Sequence, residues 1–184
     1  MFRHLFGRMV TPPAVHQIYL PESVAKATAN SIASFGHAQE QHEGIAYWAG
    51  IPFSNGLVIT SVIVPEAKTT YGAYHTSVAA NARVVNMVNR YQLQLVAQVH
   101  GHPSSWVDHS EIDDIKAFMP YEGFYSIVLP WYGSRGMFPL NTCGIYRFEK
   151  GKFKKVVPTE IERTFLVLPV AIDLRGKNEI KNNC

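Results

Sequence analysis

Residues 93–102, LQLVAQVHGH, constrain this chain more than any other segment. The run is apolar enough for a buried strand, it ends in two histidines two residues apart, and Pro103 stops it. Period-two geometry puts His100 and His102 on one face of that strand. Two imidazoles at one strand end supply two corners of a tetrahedral metal site. A third should come from the next segment, SSWVDHSEID. There Asp108 and Glu111 read as the N-cap of a helix and its third-position partner. Ser110 and Asp113, three apart, then share one face of the first turn. Asp113 can turn a carboxylate oxygen to the metal while Ser110 points into the same site. Three protein ligands leave a fourth position to water, the arrangement of a catalytic zinc site rather than a structural one. Each piece alone has a plainer explanation: a hydrogen-bonded histidine, a chance HxH, or Ser110 and Asp113 as a capping pair. The order strand, HxHP, short loop, capped helix, SxxD is what singles out a metal.

The rest of the chain frames that strand. Pro12-Pro13 sets off an N-terminal segment in which Phe2, Leu5, Phe6 and Met9 lie at helical spacing. HQIYL (16–20) alternates like a short strand. Pro21 opens a helix to about Phe35, with Val24, Ala27, Ile32 and Phe35 inward. A strand GIAYWAGIPF, the hairpin signal Asn55-Gly56 and a β-branched strand LVITSVIVP come next. Residues 66–78 read as a loop and 79–91 as a helix with Val84, Val85 and Val88 on one side. After the histidines come a strand FYSIVLP, a Gly-rich aromatic loop (131–141), and a hairpin turning at Lys150-Gly151. The tail 175–184 is polar and expected to fray. Strands and helices mix without regular βαβ alternation, which argues for one α/β domain, a mixed and largely antiparallel sheet flanked by helices. The boundaries are a 1–14 extension, a 15–174 domain and a 175–184 tail.

Composition closes off other classes. The chain has 184 residues, 47% of them hydrophobic and 17% charged, so it is globular and long enough for one substantial core. A formal net charge of +3 with scattered basic residues gives no footprint for nucleic acid. No stretch approaches the ~20 apolar residues of a membrane span, and Arg3, His4 and Arg8 interrupt the apolar N-terminus where a signal peptide would be continuous. Cys143 and Cys184 lie far apart and neither sits in a CxxC, so there is no disulfide framework and no cysteine-only zinc site. A reducing cytoplasm is the natural compartment.

Taken together, the residues resemble the JAMM (MPN-plus, JAB domain) zinc metalloprotease family. Pro103 is followed by six residues and then Ser110, Glu111, Ile112 and Asp113, which fits an upstream glutamate followed by HxHP, six residues and SxxD. The likeness runs over about residues 16–150 and implies the MPN/JAB, cytidine-deaminase-like layered architecture. It implies Zn2+ on His100, His102 and Asp113, Glu43 as general base, and Ser110 as donor to the oxyanion. Glu43 directly precedes an apolar strand as the family's glutamate does; Glu40 is the competing residue. Gly101 stands where many relatives carry Ser or Thr, a position that is not a ligand. The family mostly removes ubiquitin or ubiquitin-like proteins from lysines, or trims them after a C-terminal glycine. The small size resembles the prokaryotic branch, which accompanies ubiquitin-like conjugation or sulfur-carrier systems. A ubiquitin-like protein or its conjugate is therefore the expected partner, with activating and conjugating enzymes of the same pathway. Peptides, sulfur-carrier adducts or a non-catalytic interaction role are the alternatives. Around the site, His109 is expected to lie on the surface or behind the ligands, Trp106 to pack over the site or against substrate, and Trp106 and Tyr74 to line a narrow channel. His75 is a surface residue, Tyr47 and Trp48 belong to the core, and Cys143 is buried.

Overall fold

A computed structural model describes residues 17–37 and 40–172. The N-terminal segment, the polar tail and Cys184 lie outside the described residues. The elements are β1 (Gln17–Pro21), α1 (Glu22–Ala33), β2 (Gly36–His37), β3 (Glu40–Gln41), β4 (Ile45–Phe53), β5 (Gly56–Ile63), β6 (Ala67–Thr70), β7 (Ala73–Thr76), α2 (Val78–Arg90), β8 (Gln94–Gly101), α3 (Glu111–Lys116), β9 (Tyr125–Leu129), β10 (Gly144–Glu149), β11 (Lys152–Lys155), α4 (Pro158–Thr164) and β12 (Phe165–Leu168). Eight strands form one sheet in the order β11-β10-β9-β8-β4-β5-β1-β12. Pairing is antiparallel at β11/β10, β10/β9, β8/β4 and β4/β5, and parallel at β9/β8, β5/β1 and β1/β12. The sheet is therefore mixed, with antiparallel pairing ahead, as the sequence led us to expect.

β4 and β8 sit in the middle of the sheet and are covered on both faces, which is why their sequences run apolar almost without a break. Ala46 and Trp48 of β4 face α1, within a core that includes Ile18, Leu20, Ile32, Leu57 and Phe165. Ile45 and Tyr47 face the other way, packing with Tyr74 and Val84, the latter on α2. Trp48 is fully buried, and its indole N–H donates to Thr28 Oγ1 at 2.8 Å, so its one polar atom is satisfied inside the core.

Several local expectations change. Residues 66–78 are not a loop: β6 and β7 pair as a separate hairpin, Ala67 opposite Thr76, and α2 starts at Val78 with Ser77 as its cap. Alternation in AKTT and AYHT is too short to stand out without its partner strand. Ala27 is exposed rather than inward; Val24, Ala25, Thr28, Ala29 and Ile32 make the buried face of α1. Helix α4 and strand β12 extend the sheet past β1, through a segment whose short pattern carried no clear signal in the sequence. No helix among the described residues is long and apolar enough to cross a membrane.

Candidate metal centre

The site forms where β8 leaves the sheet. His100 lies one residue before the end of the strand's buried run, and the His102 N–H donates to the Leu129 carbonyl at 2.9 Å, so the chain stays extended through His102 and both imidazoles project from the same face. The third residue comes from α3, whose cap lies two residues later than the sequence indicates. Ser110, not Asp108, is the N-cap, and its partner is Asp113, not Glu111. Ser110 Oγ accepts the Asp113 N–H at 3.2 Å, and Asp113 Oδ2 accepts the Ser110 N–H at 2.8 Å. This reciprocal box explains the shift: both oxygens of the box must reach orphan N–H groups, and SxxD supplies a shorter pair than DxxE. Asp108 instead accepts from the Tyr146 hydroxyl at 3.0 Å and pairs with Lys155. The plain reading of Ser110 and Asp113 as a capping pair is thus realised. Ser110 Oγ also donates to Asp113 Oδ2 at 2.8 Å, so its hydroxyl proton is directed at Asp113 here.

The donor atoms converge. His100 Nε2 lies 3.3 Å from Asp113 Oδ1, and His102 Nε2 lies 3.6 Å from Asp113 Oδ2. One ligand atom from each of the three residues falls within 4.8 Å of the others, and all three residues are buried. Neither ring nitrogen of His100 makes a hydrogen bond, although the ring is completely buried. An orphaned buried imidazole is costly unless something takes its lone pair, and a cation between these groups would do so. His102 is already oriented for one: Nδ1 lies 3.1 Å from the Trp106 carbonyl, which fixes the proton there and leaves Nε2 to face Asp113. The residues present therefore fit a divalent metal.

The electrostatics fit the same reading. Burial lowers the pKa of His100 below the ordinary histidine value, which favours the neutral, ligating form. Burial also pulls His102 down, but Asp113, Glu43 and the Trp106 carbonyl outweigh it and raise its pKa. Burial pushes Asp113 up, and the neighbouring His100 and His102 rings more than reverse this, holding it far below the usual carboxylate range.

Glu43, His102, Ser110, Asp113, Tyr74 and Trp106 line one cavity of about 190 Å³. Glu43 is 6% exposed, and its N–H bonds the Thr70 carbonyl at 2.9 Å, which ties the start of β4 to the β6–β7 hairpin. Glu40 is on β3 with an exposed side chain and does not reach this cavity. Trp106 stacks on His102 with ring centroids 5.0 Å apart, and Tyr74 lies 5.4 Å from the His100 ring. Burial, reinforced by Asp113, Tyr47 and Glu43, raises Tyr74 well above the ordinary phenol value. His75 points out to solvent on β7, and Cys143 is buried. A larger cavity of about 390 Å³ lies between α1 and residues 133–138, and none of these groups lines it.

Two residues escaped the sequence reading. Gln98 and Ser126 are paired across β8 and β9, almost wholly buried, and hydrogen-bonded at 3.1 Å beneath α3. The available signal was a glutamine two residues before His100, a polar group on the ligand face of an otherwise apolar strand.

No family model matches the chain. The probable metalloprotease y4jG of Sinorhizobium fredii is 26% identical over 151 residues, 80% of this chain and 91% of that protein. Among solved structures, a Desulfitobacterium hafniense protein superposes with a TM-score of 0.61 at 10% identity, over 83% of this chain and 94% of that one, and shares the fold. A JAB1/MPN domain protein of Archaeoglobus fulgidus gives a TM-score of 0.47 at 16% identity, over 83% of this chain and 98% of its own. The chain is thus similar to a probable metalloprotease, and its spaced motif brings two histidines and an aspartate together as a metal-dependent peptidase requires.

Proposed function

We propose that this chain is a zinc-dependent peptidase that cleaves a ubiquitin-like protein at its C-terminal glycine, from a lysine isopeptide or from a precursor extension. The observation that carries the reading is the convergence of His100, His102 and Asp113, the last two of which share one cavity with Glu43. A zinc ion held by the two Nε2 atoms and an Asp113 oxygen would supply a Lewis acid and an acidified water. Glu43 takes a proton from the attacking water and returns it to the leaving amine as the C–N bond breaks. Ser110 holds Asp113 Oδ2 through its N–H and O–H. It serves an oxyanion when its hydroxyl turns from Asp113 to the substrate. Tyr74 keeps its proton, and Trp106 covers His102 on the solvent side.

The cavity favours small residues at the cut. Trp106 and Tyr74 flank it, and Gly72 and Ala73 at the β6–β7 turn form part of its wall. An extended tail laid along that hairpin would gain main-chain hydrogen bonds while its last residues passed between the two rings. A purified protein given ubiquitin-like fusions ending in Gly-Gly, Ala-Ala, Val-Gly and Leu-Leu should cleave them at rates that fall steeply with bulk. Equal rates, or a preference for a bulky residue, would refute the ubiquitin-like substrate and favour a general peptidase.

A further inference from the structure

Helix α3 carries Asp113 and yet has almost no apolar hold on the domain. It is six residues long. Its two isoleucines face out, Ile112 at 55% and Ile115 at 82% exposed, while Asp113 is buried. A helix this short is not stable alone and takes its position from its attachments. Beyond its C-terminal end, Phe118 packs on Tyr47, and the Phe118 N–H donates to Gln98 Oε1 at 3.2 Å. At the N-terminal end the attachment is His109. Its Nδ1 lies 2.8 Å from Asp114 Oδ1 and its Nε2 2.9 Å from Ser126 Oγ, while the ring stacks on Tyr146 at 4.0 Å. Gln98 Nε2 donates to Ser126 Oγ at 3.1 Å. With the His109 proton on Nδ1, facing the Asp114 carboxylate, the hydrogen bonds run in one consistent direction. Phe118 N–H donates to the Gln98 carbonyl oxygen, the Gln98 amide to the Ser126 oxygen, the Ser126 hydroxyl to His109 Nε2, and His109 Nδ1–H to Asp114. One polar strap, buried at Gln98 and Ser126 and reaching the surface at Asp114, therefore binds both ends of α3 to β8 and β9.

We propose that His109 is a positioning residue: held between Ser126 and Asp114, it fixes the first turn of α3 and thereby sets the Asp113 carboxylate against His100 and His102. The inference rests on the reading of Asp113 as a metal ligand. Asp114 is the next residue along the helix, so a carboxylate pinned at Asp114 limits rotation of the turn that presents Asp113. Groups behind the ligands commonly contribute 10- to 100-fold in metal affinity.

His109→Phe separates this role from packing, because it keeps a ring against Tyr146 and removes both polar ends. Ser126→Ala removes one bond of the strap with a smaller change, and His109→Asn keeps a donor close to the Nδ1 position. Zinc affinity is measured by competition with a chromogenic chelator, and amide hydrogen exchange is followed in the metal-free proteins. We expect His109→Phe and Ser126→Ala to bind zinc about 10- to 100-fold more weakly, with His109→Asn between them and wild type. In the same two variants the Asp113 and Asp114 amides should exchange faster, with the β4 and β8 amides unchanged. Both changes are required; wild-type zinc affinity or wild-type α3 protection in His109→Phe and Ser126→Ala overturns the proposal. A wild-type protein that takes up no metal would defeat the ligand reading instead, and the exchange result alone would then decide whether the strap exists.

Discussion

Replacing Gly101 by alanine tests how tightly the fold holds the site. Gly101 sits between the two histidines and faces the opposite side of the sheet from them, toward α1. A Cβ added there would lie 2.7 Å from Ile32 Cγ2, 3.0 Å from Tyr132 Cα and 3.3 Å from the Tyr132 carbonyl carbon. Ile32 is fully buried and its methyl is fixed on a β-branched carbon, so it has little room to turn aside. Tyr132 is backbone, in a turn where Trp131 and Tyr132 already have positive φ of 54° and 51°. That turn is stitched to the site: the Tyr132 N–H donates to the His102 carbonyl at 2.8 Å, and the Trp131 N–H to the Ser104 carbonyl at 3.0 Å. Relief at Tyr132 must therefore move His102. Overpacking of this kind costs about 1–3 kcal/mol. For a domain of this size that lowers Tm by roughly 2–12 °C. Denaturant melts of Gly101→Ala, Ile32→Ala and the double variant form a cycle. The alanine penalty should shrink by at least about 0.5 kcal/mol once the Ile32 methyl is gone, and the part caused by Tyr132 should remain. Zinc affinity of Gly101→Ala should fall as well. Stability within about 0.5 kcal/mol of wild type, with no coupling to Ile32, would refute the steric argument.

Further expectations concern the site and one buried thiol. His100→Ala, His102→Ala and Asp113→Ala should each lower metal content, measured by elemental analysis, from about one zinc per chain and abolish peptidase activity; full activity of protein demonstrated to be metal-free would sink the mechanism. Glu43→Gln should keep its zinc while turnover falls by about 10² or more, and loss of zinc would make Glu43 a ligand. Burial pushes the Cys143 thiol up to about 12 from a reference value of 9.0. Its contribution to stability is thus present below pH 9 and is lost as the pH rises toward 12. In a Cys184→Ser background, Cys143 should resist a thiol reagent at pH 8 until denaturant is added; rapid labelling of the native protein would contradict its burial.

The grouping of His100, His102 and Asp113 and the class of fold were legible in the sequence. HxHP-x6-SxxD is a local pattern: strand alternation places His100 and His102 together, and one helical turn brings Ser110 to Asp113, so both halves can be read without tertiary contacts. Apolar runs at β4, β5 and β8 marked strands buried deep in a sheet. The sequence did not determine which of two capping pairs would form, because DxxE and SxxD two residues apart satisfy the same rule, and only the box closed by Asp113 also faces the histidines. Nor did it reveal the β6–β7 hairpin or β12, whose four-residue strands carry too little pattern until a partner lies beside them. The sequence also left Glu43 and Glu40 in competition; the structure places Glu43, just ahead of the strand beginning at Ile45, in the cavity and leaves Glu40 in solvent. The need for glycine at position 101, where another small residue looks harmless in sequence, and the strap through Gln98, Ser126 and His109 came from tertiary packing alone. Both depend on atoms brought within 2.7–3.3 Å from segments distant in the chain, which no local spacing encodes.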